Sequence, residues 1–126
     1  MAKNIPTPTE INLHQKSRIL EVTFDTGEHF ELTCEYLRVY SPSAEVRGHS
    51  SEQAVLQVGK ADVKIDKIEQ VGTYAIQLFF DDNHDSGIYS WEWLYYLGKK
   101  HDQLWQEYLD NLEKAGQKRA PTPDNE

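Results

Sequence analysis

The richest group of metal-ligand types in the sequence is the stretch 81–85, which reads DDNHD. Its carboxylates suit hard divalent cations, and its imidazole suits Fe, Ni or Zn. His84 is therefore the principal candidate ligand, with Asp82, Asp85 and the more distant His49 as assisting candidates. The alternative interpretation is a polar hairpin loop in which Asp and Asn serve the turn geometry. The sequence requires no cofactor. If the protein binds a metal, we expect a divalent ion such as Fe or Zn.

A second polar stretch, residues 41–50 (SPSAEVRGHS), combines hydroxyl, carboxylate and imidazole groups. A serine nucleophile needs a base within hydrogen-bond reach and an oxyanion hole, and the sequence has no nucleophile-elbow motif. We assign no catalytic residue, because helix capping by the serines and an ion pair between Glu45 and Arg47 explain the stretch. Since polar loops often carry binding sites, we predict an interaction surface here, extended by one aromatic residue. Its residues are Ser41, Ser43, Glu45, Arg47, His49 and Trp91.

Cys34 is the single cysteine, so no disulfide can form within the chain. Such a composition fits a reducing compartment. A lone cysteine between a strand and a helix is more often a buried small hydrophobe than a reactive thiol. No apolar run approaches the roughly 20 residues of a membrane span, and the N-terminus lacks the apolar region of a secretory signal. We therefore predict a cytoplasmic protein.

The net charge of −8 argues against several partner classes. Nucleic-acid binding draws most of its affinity from Lys and Arg contacts to phosphate, and no large basic cluster occurs here. Neither nucleic acid nor an anionic membrane is an expected partner. An unidentified protein partner, a cation and a homodimer all stay open.

Hydrophobic patterning predicts one α+β domain over residues 17–115, after a flexible lead-in (1–16) and before a disordered tail (116–126). Period-two alternation predicts a hairpin over residues 18–33, and a short helix follows from Cys34 to Arg38. Later strands begin near Val63, run through 74–80 with Tyr74 on the same face as Ile76, and return over 87–89. Together these form a mostly antiparallel sheet with helices on one side.

The C-terminal part of this domain has the pattern of a helix. Ser90 is a good N-cap, and apolar residues then recur at three- and four-residue spacing as far as Leu112. We predict a C-terminal amphipathic helix that continues to about Lys114, with Gly98 as a point where it can kink or break.

Three blocks of the sequence together resemble a known family. They are 37–49 (LRVYSPSAEVRGH), 71–76 (VGTYAI) and 85–94 (DSGIYSWEWL). In this order they resemble the gamma-butyrobetaine hydroxylase-like N-terminal domain family, whose bacterial stand-alone members are uncharacterised. The resemblance covers roughly residues 18–97.

The resemblance implies a zinc site that this sequence does not reproduce. In the eukaryotic hydroxylases the domain precedes a catalytic iron and 2-oxoglutarate domain, binds a structural zinc through three cysteines and one histidine, and helps the subunits associate. The cysteine positions correspond to Ser41, Ser43 and Val46, and the histidine to His84. Hydroxyl groups and a valine cannot replace thiolates around Zn²⁺. The catalytic domain is missing from this sequence, so hydroxylase activity is not implied.

Two functions follow as expectations. The first is a non-catalytic protein-interaction or accessory module. The second is a metal-binding accessory protein for iron or zinc, because similar domains also follow the ATPase domain of some scaffold proteins for iron–sulfur cluster assembly.

Overall fold

The computed structural model describes residues 5–43, 56–57 and 59–117. Within that part of the chain the elements follow in the order β1 (Pro8–His14), β2 (Ile19–Phe24), β3 (His29–Thr33), α1 (Cys34–Val39), β4 (Ile65–Val71), β5 (Ala75–Phe80), β6 (Gly87–Ser90), α2 (Trp91–Lys99) and α3 (His101–Ala115). The predicted α+β class and the C-terminal helix are confirmed. The strands form two antiparallel sheets, an N-terminal sheet (β1-β2-β3) and a C-terminal sheet (β4-β5-β6). No helix in these described ranges is long and apolar enough to cross a membrane.

The predicted flexible lead-in is wrong for residues 8–14, which form β1. This strand pairs with β2, placing Ile11 opposite Val22 and Leu13 opposite Leu20. Ile11 and Leu13 pack against the main core, while Asn12 between them and Thr9, Glu10 and His14 on either side are polar. Two apolar positions are a weak alternation signal, and the strand forms because β2 supplies both the hydrogen bonds and the apolar contact.

The inner faces of both sheets contribute to one core. The N-terminal sheet supplies Leu20, Val22, Phe24 and Leu32, the C-terminal sheet Ile65, Ile76, Leu78 and Tyr89, and α2 Leu94 and Leu97. Cys34 is buried beside them, and burial raises the pKa of its thiol, as expected for a structural cysteine. Burying each large apolar side chain contributes about 1.5–3 kcal/mol, so this shared core holds the two sheets together.

Tyr74 does not lie on the inner face that was predicted for it. The β4–β5 pairing ends with Val71 opposite Ala75, so the turn includes Tyr74, whose side chain is 58% exposed. From Ala75 onward the strand follows the expected pattern, with Ile76 and Leu78 buried.

The predicted C-terminal helix is divided at Lys100 into α2 and α3. Ser90 caps α2 as predicted, because its hydroxyl accepts the Trp93 N–H at 3.0 Å. Gly98 serves close packing rather than the break, since a Cβ atom there would lie 2.5 Å from the Phe30 ring. Its lack of a side chain lets α2 pack directly on β3.

Candidate functional site

The β5–β6 hairpin turns His84 into the protein. Asn83 takes a left-handed conformation (φ 70°), which Asn tolerates better than most residues, and the Phe80 N–H donates to the His84 carbonyl at 3.0 Å. The His84 side chain is consequently buried, with the residue only 5% exposed. Its ring packs near Phe80, the two centroids lying 6.1 Å apart. The polar-loop interpretation of this stretch is therefore correct for its backbone but not for its histidine, which points inward.

Ser41, just beyond the end of α1, meets His84 directly. Its Oγ lies 2.9 Å from His84 Nε2, and it also accepts the Ser43 N–H at 3.2 Å. Ser41 is fully buried. A hydrogen bond inside the protein is costly to leave unmade, so this contact ties the loop after α1 to the β5–β6 hairpin.

Gly87 and Ser86 complete the contact from the β6 side. A Cβ atom at position 87 would lie 2.6 Å from Ser41 Oγ, so only glycine fits beside this serine. The Ser43 and Ser86 hydroxyl oxygens are 2.7 Å apart. We call this set of residues (Ser41, Ser43, His84, Ser86 and Gly87) the serine–histidine contact; all of them except the exposed Ser86 are buried.

Asp82 faces two cations at the edge of this contact. One carboxylate oxygen accepts from Arg38 Nε at 2.9 Å and from Lys60 Nζ at 2.7 Å. Partial burial opposes ionisation, but the Lys60 hydrogen bond and the Arg38 charge hold the pKa of Asp82 below its usual value. The other oxygen accepts the His84 N–H at 3.2 Å. Asp82 thus neutralises buried charge, and its carboxylate is occupied by these donors.

The described residues at the inherited zinc positions do not fit zinc. Structural zinc sites use thiolate and imidazole ligands, whereas Ser41 and Ser43 offer neutral hydroxyl oxygens. The Ser41 hydroxyl is packed between His84 and Gly87, and the Ser43 hydroxyl faces Ser86. Asp85, a predicted assisting ligand, is exposed, and its carbonyl accepts from Gln77 Nε2 at 2.6 Å.

The predicted interaction surface is only partly described. Ser41 and Ser43 are buried rather than exposed, because their hydroxyl groups make the contacts above. Glu45, Arg47 and His49 lie outside the described residues. Trp91 lies elsewhere, at the start of α2, where its indole N–H donates to the Thr73 carbonyl at 2.8 Å.

Two further groups of side chains were missed. One is an apolar group on the outer face of the C-terminal sheet, which includes the exposed residues Tyr74 and Ile88. The other is a group of potential metal ligands on the outer face of the N-terminal sheet, formed by Glu21, His29 and Glu31. Alternation along the strands gives the face of each residue, but only the strand register brings these side chains together.

The fold and the buried contact define a small α+β domain of two antiparallel sheets, joined by a shared core and a serine–histidine hydrogen bond. The chain belongs to the gamma-butyrobetaine hydroxylase-like, N-terminal family, whose model matches residues 11–95. No curated protein matches it.

Three solved structures are similar to this chain. One protein with an NMR solution structure is 43% identical, with a TM-score of 0.83 and coverage of 96% of this chain and 95% of that one. A second NMR solution structure is 48% identical, with a TM-score of 0.81 and coverage of 98% and 94%. The crystal structure of a protein of unknown function from Acidithiobacillus ferrooxidans ATCC 23270, of the DUF971 family, is 37% identical, with a TM-score of 0.62 and coverage of 73% and 92%. The predicted family membership is confirmed.

Proposed function

We propose that this domain is a non-catalytic binding module that contacts a protein partner through the outer face of its C-terminal sheet. The proposal rests on the exposure of large apolar side chains there. The contact residues, which we call the aromatic face, are Val71, Tyr74, Phe79, Ile88 and Trp91.

The strand register groups these residues. Ile88 on β6 is opposite Gln77 on β5, and Phe79 is two positions along β5, so both point away from the core. Val71 lies on the same outer face, opposite Ala75. Ile88 is 44% exposed, and Tyr74, in the turn that follows Val71, is 58% exposed. The other members are partly buried, and the Lys67 ammonium lies 4.6 Å from the centre of the Phe79 ring, so Tyr74 and Ile88 are the most exposed part of this face. Apolar side chains grouped on one outer face typically mark a contact surface.

Trp91 holds the end of the aromatic face in place. Its backbone N–H donates to the Tyr74 carbonyl at 2.9 Å, and its indole N–H donates to the Thr73 carbonyl at 2.8 Å. These bonds join the β4–β5 turn to the first residue of α2. Because the turn is already ordered, little conformational entropy is lost when a partner binds Tyr74. Aromatic side chains in such settings often carry a large share of interface energy.

The charge of the chain favours a different protein over a second copy. Each molecule carries −8, so two copies repel each other before any apolar contact forms. Glu92, next to Trp91, is exposed at the end of the aromatic face, whereas Glu69, on the outer side of β4, is exposed but paired with Lys67 at 2.9 Å. The expected partner segment therefore combines apolar side chains with flanking Lys or Arg.

Site-specific photo-crosslinking in cells tests this proposal. A photoreactive phenylalanine at Tyr74 should give one discrete crosslinked protein, and the same group at Glu31, on the other sheet, should not. The purified partner should bind the wild-type chain and lose at least about tenfold in affinity on Ile88→Asp, as expected for a contact residue. Thr23→Asp, on the outer face of the N-terminal sheet, is the matched control and should bind normally. Equal binding by both variants, or crosslinking only between copies of this chain, would contradict the proposal.

A further inference from the structure

The outer face of the N-terminal sheet carries a polar group of different chemistry. Glu21 lies at the centre of β2, directly opposite Glu31 on β3. His29, two residues from Glu31 on β3, points to the same face, as does His14 at the end of β1. The two histidines therefore flank Glu21 diagonally from the two neighbouring strands.

The ligand atoms of three of these side chains converge. The imidazole nitrogen of His29 and the carboxylate oxygens of Glu21 and Glu31 all lie within 4.8 Å of one another. His29 Nε2 is 2.9 Å from Glu21 Oε2, and His14 Nε2 is 2.8 Å from the other oxygen, Glu21 Oε1. Glu21 Oε2 is thus directed towards His29 while its partner oxygen is held by His14.

The electrostatics of this group favour an added cation. Carboxylates directly opposite each other on neighbouring strands repel, and Glu21 and Glu31 form such a pair. Glu21 and Glu31 together bring two carboxylates to one point of this face, and a divalent ion between them would offset their repulsion.

We propose that His29, Glu21 and Glu31 form a surface site for a divalent transition-metal ion, represented by Zn²⁺. His29 Nδ1 lies 2.9 Å from Thr23 Oγ1, and a hydrogen bond to that hydroxyl leaves Nε2 for the ion. One imidazole and two carboxylates suit zinc and its neighbours better than Mg²⁺, which prefers an all-oxygen octahedral shell. Water completes the coordination, because the His29 side chain is 44% exposed.

His14 is a positioning residue in this site. It contacts Glu21 Oε1, the oxygen turned away from His29, so it orients the carboxylate without taking a place at the ion. Outer partners of this kind tune metal affinity by fixing the ligand geometry.

Calorimetric titration of tag-free protein with Zn²⁺ tests the site, with Mg²⁺ as the comparison ion. We expect one Zn²⁺ per chain, with a dissociation constant on the order of micromolar. His29→Gln and Glu31→Gln should each weaken binding at least about tenfold, because each removes one ligand. His101→Gln is the matched control: His101 Nδ1 also lies beside a carboxylate, Asp102, at 3.1 Å, but belongs to no group of three ligands among the described residues.

The positioning role of His14 is tested by Zn²⁺ binding to two His14 variants. His14→Ala should weaken Zn²⁺ binding, and His14→Gln, whose amide can still donate to Glu21, should restore most of it. The proposal is overturned if wild-type protein takes up no stoichiometric Zn²⁺, or if the His29 and Glu31 variants bind it as tightly as the wild type. Loss of binding in the His101 variant alone would place the ion elsewhere and would equally overturn it.

Discussion

His84 lies in the loop between β5 and β6, and His29 lies on β3 of the other sheet. The environments of the two imidazoles differ in burial and in charge. His84 is buried and hydrogen-bonded to the neutral hydroxyl of Ser41. His29 is exposed and faces the carboxylates of Glu21 and Glu31. The sequence pointed to His84 as the metal ligand because of its acidic neighbours along the chain. In the fold those neighbours are directed elsewhere, and the imidazole that has carboxylates beside it is that of His29, with Glu31 on its own strand and Glu21 on the neighbouring strand.

The same type of side chain therefore has two different roles in this protein. A buried imidazole paired with a hydroxyl contributes to stability, because removing either group deprives the other of a buried hydrogen bond. An exposed imidazole between carboxylates contributes little to stability but provides ligands of the right charge. Each variant below should affect one region and spare the other.

The largest expected effect is that of His84→Ala. It removes a packed ring and one of the hydrogen bonds of the buried Ser41 hydroxyl, so we expect the free energy of unfolding to fall by about 3 kcal/mol. His29→Ala, at an exposed site, should change it by less than about 0.5 kcal/mol. Urea denaturation of both variants measures the difference. An equal decrease in the free energy of unfolding for both variants would contradict the proposed difference between the two histidines.

Gly87→Ala should have the next largest effect. The added Cβ would lie 2.6 Å from Ser41 Oγ, and the resulting displacement should cost about 2 kcal/mol in unfolding free energy. Ser41→Ala removes the nearest clashing atom and leaves only the tight approach of Tyr89 Cε1 at 3.0 Å, so the double variant should be more stable than the sum of the two single changes predicts. A strictly additive double-mutant cycle would mean that the serine–histidine contact is not what requires glycine here.

A smaller effect concerns pH. The pKa of Asp82 is lowered in the folded state. The stability that its ionised carboxylate contributes is therefore fully present above the unfolded-state pKa of about 3.9, and it is lost as pH falls through the folded-state pKa. At neutral pH, Asp82→Asn should lower the free energy of unfolding by about 1 kcal/mol, with the difference from wild type shrinking in acid. Glu21 also has a lowered pKa, but its partners His14 and His29 are 52% and 44% exposed, so Glu21→Gln should show a weaker pH-dependent difference. Denaturation across an acid pH series compares the two.

The smallest expected effect is the change in Tm on Glu31→Gln, in the N-terminal sheet. Its sign should depend on whether Zn²⁺ is present. Without metal, Glu31→Gln relieves the repulsion from Glu21 and should raise Tm by about 1 °C. With excess Zn²⁺ the wild type gains stability by binding the ion, so the order of the two Tm values should reverse. An unchanged order in thermal denaturation with Zn²⁺ would argue against the site.

Much of the local structure was readable from residue patterns. The alternation in residues 18–33, the Ser90 cap and the burial of Cys34 all agree with the structure. Strand β1 was not recognised, because its two inward residues, Ile11 and Leu13, lie among polar neighbours. Without that strand, the contact between His14 and Glu21 on the neighbouring strand could not be predicted.

The amino-acid sequence alone established the α+β class, the family membership and the absence of the family's thiols, whose positions hold two serines and a valine. Periodicity, motifs and residue identity are properties of the chain. The fold decided what those residues contact. It turned His84 inward onto Ser41, 43 positions away, and brought His14, Glu21, His29 and Glu31 to one surface through strand register. Ligand chemistry depends on distances of a few ångströms between residues that are remote in sequence, and such distances are set only when the strands pair and the core closes.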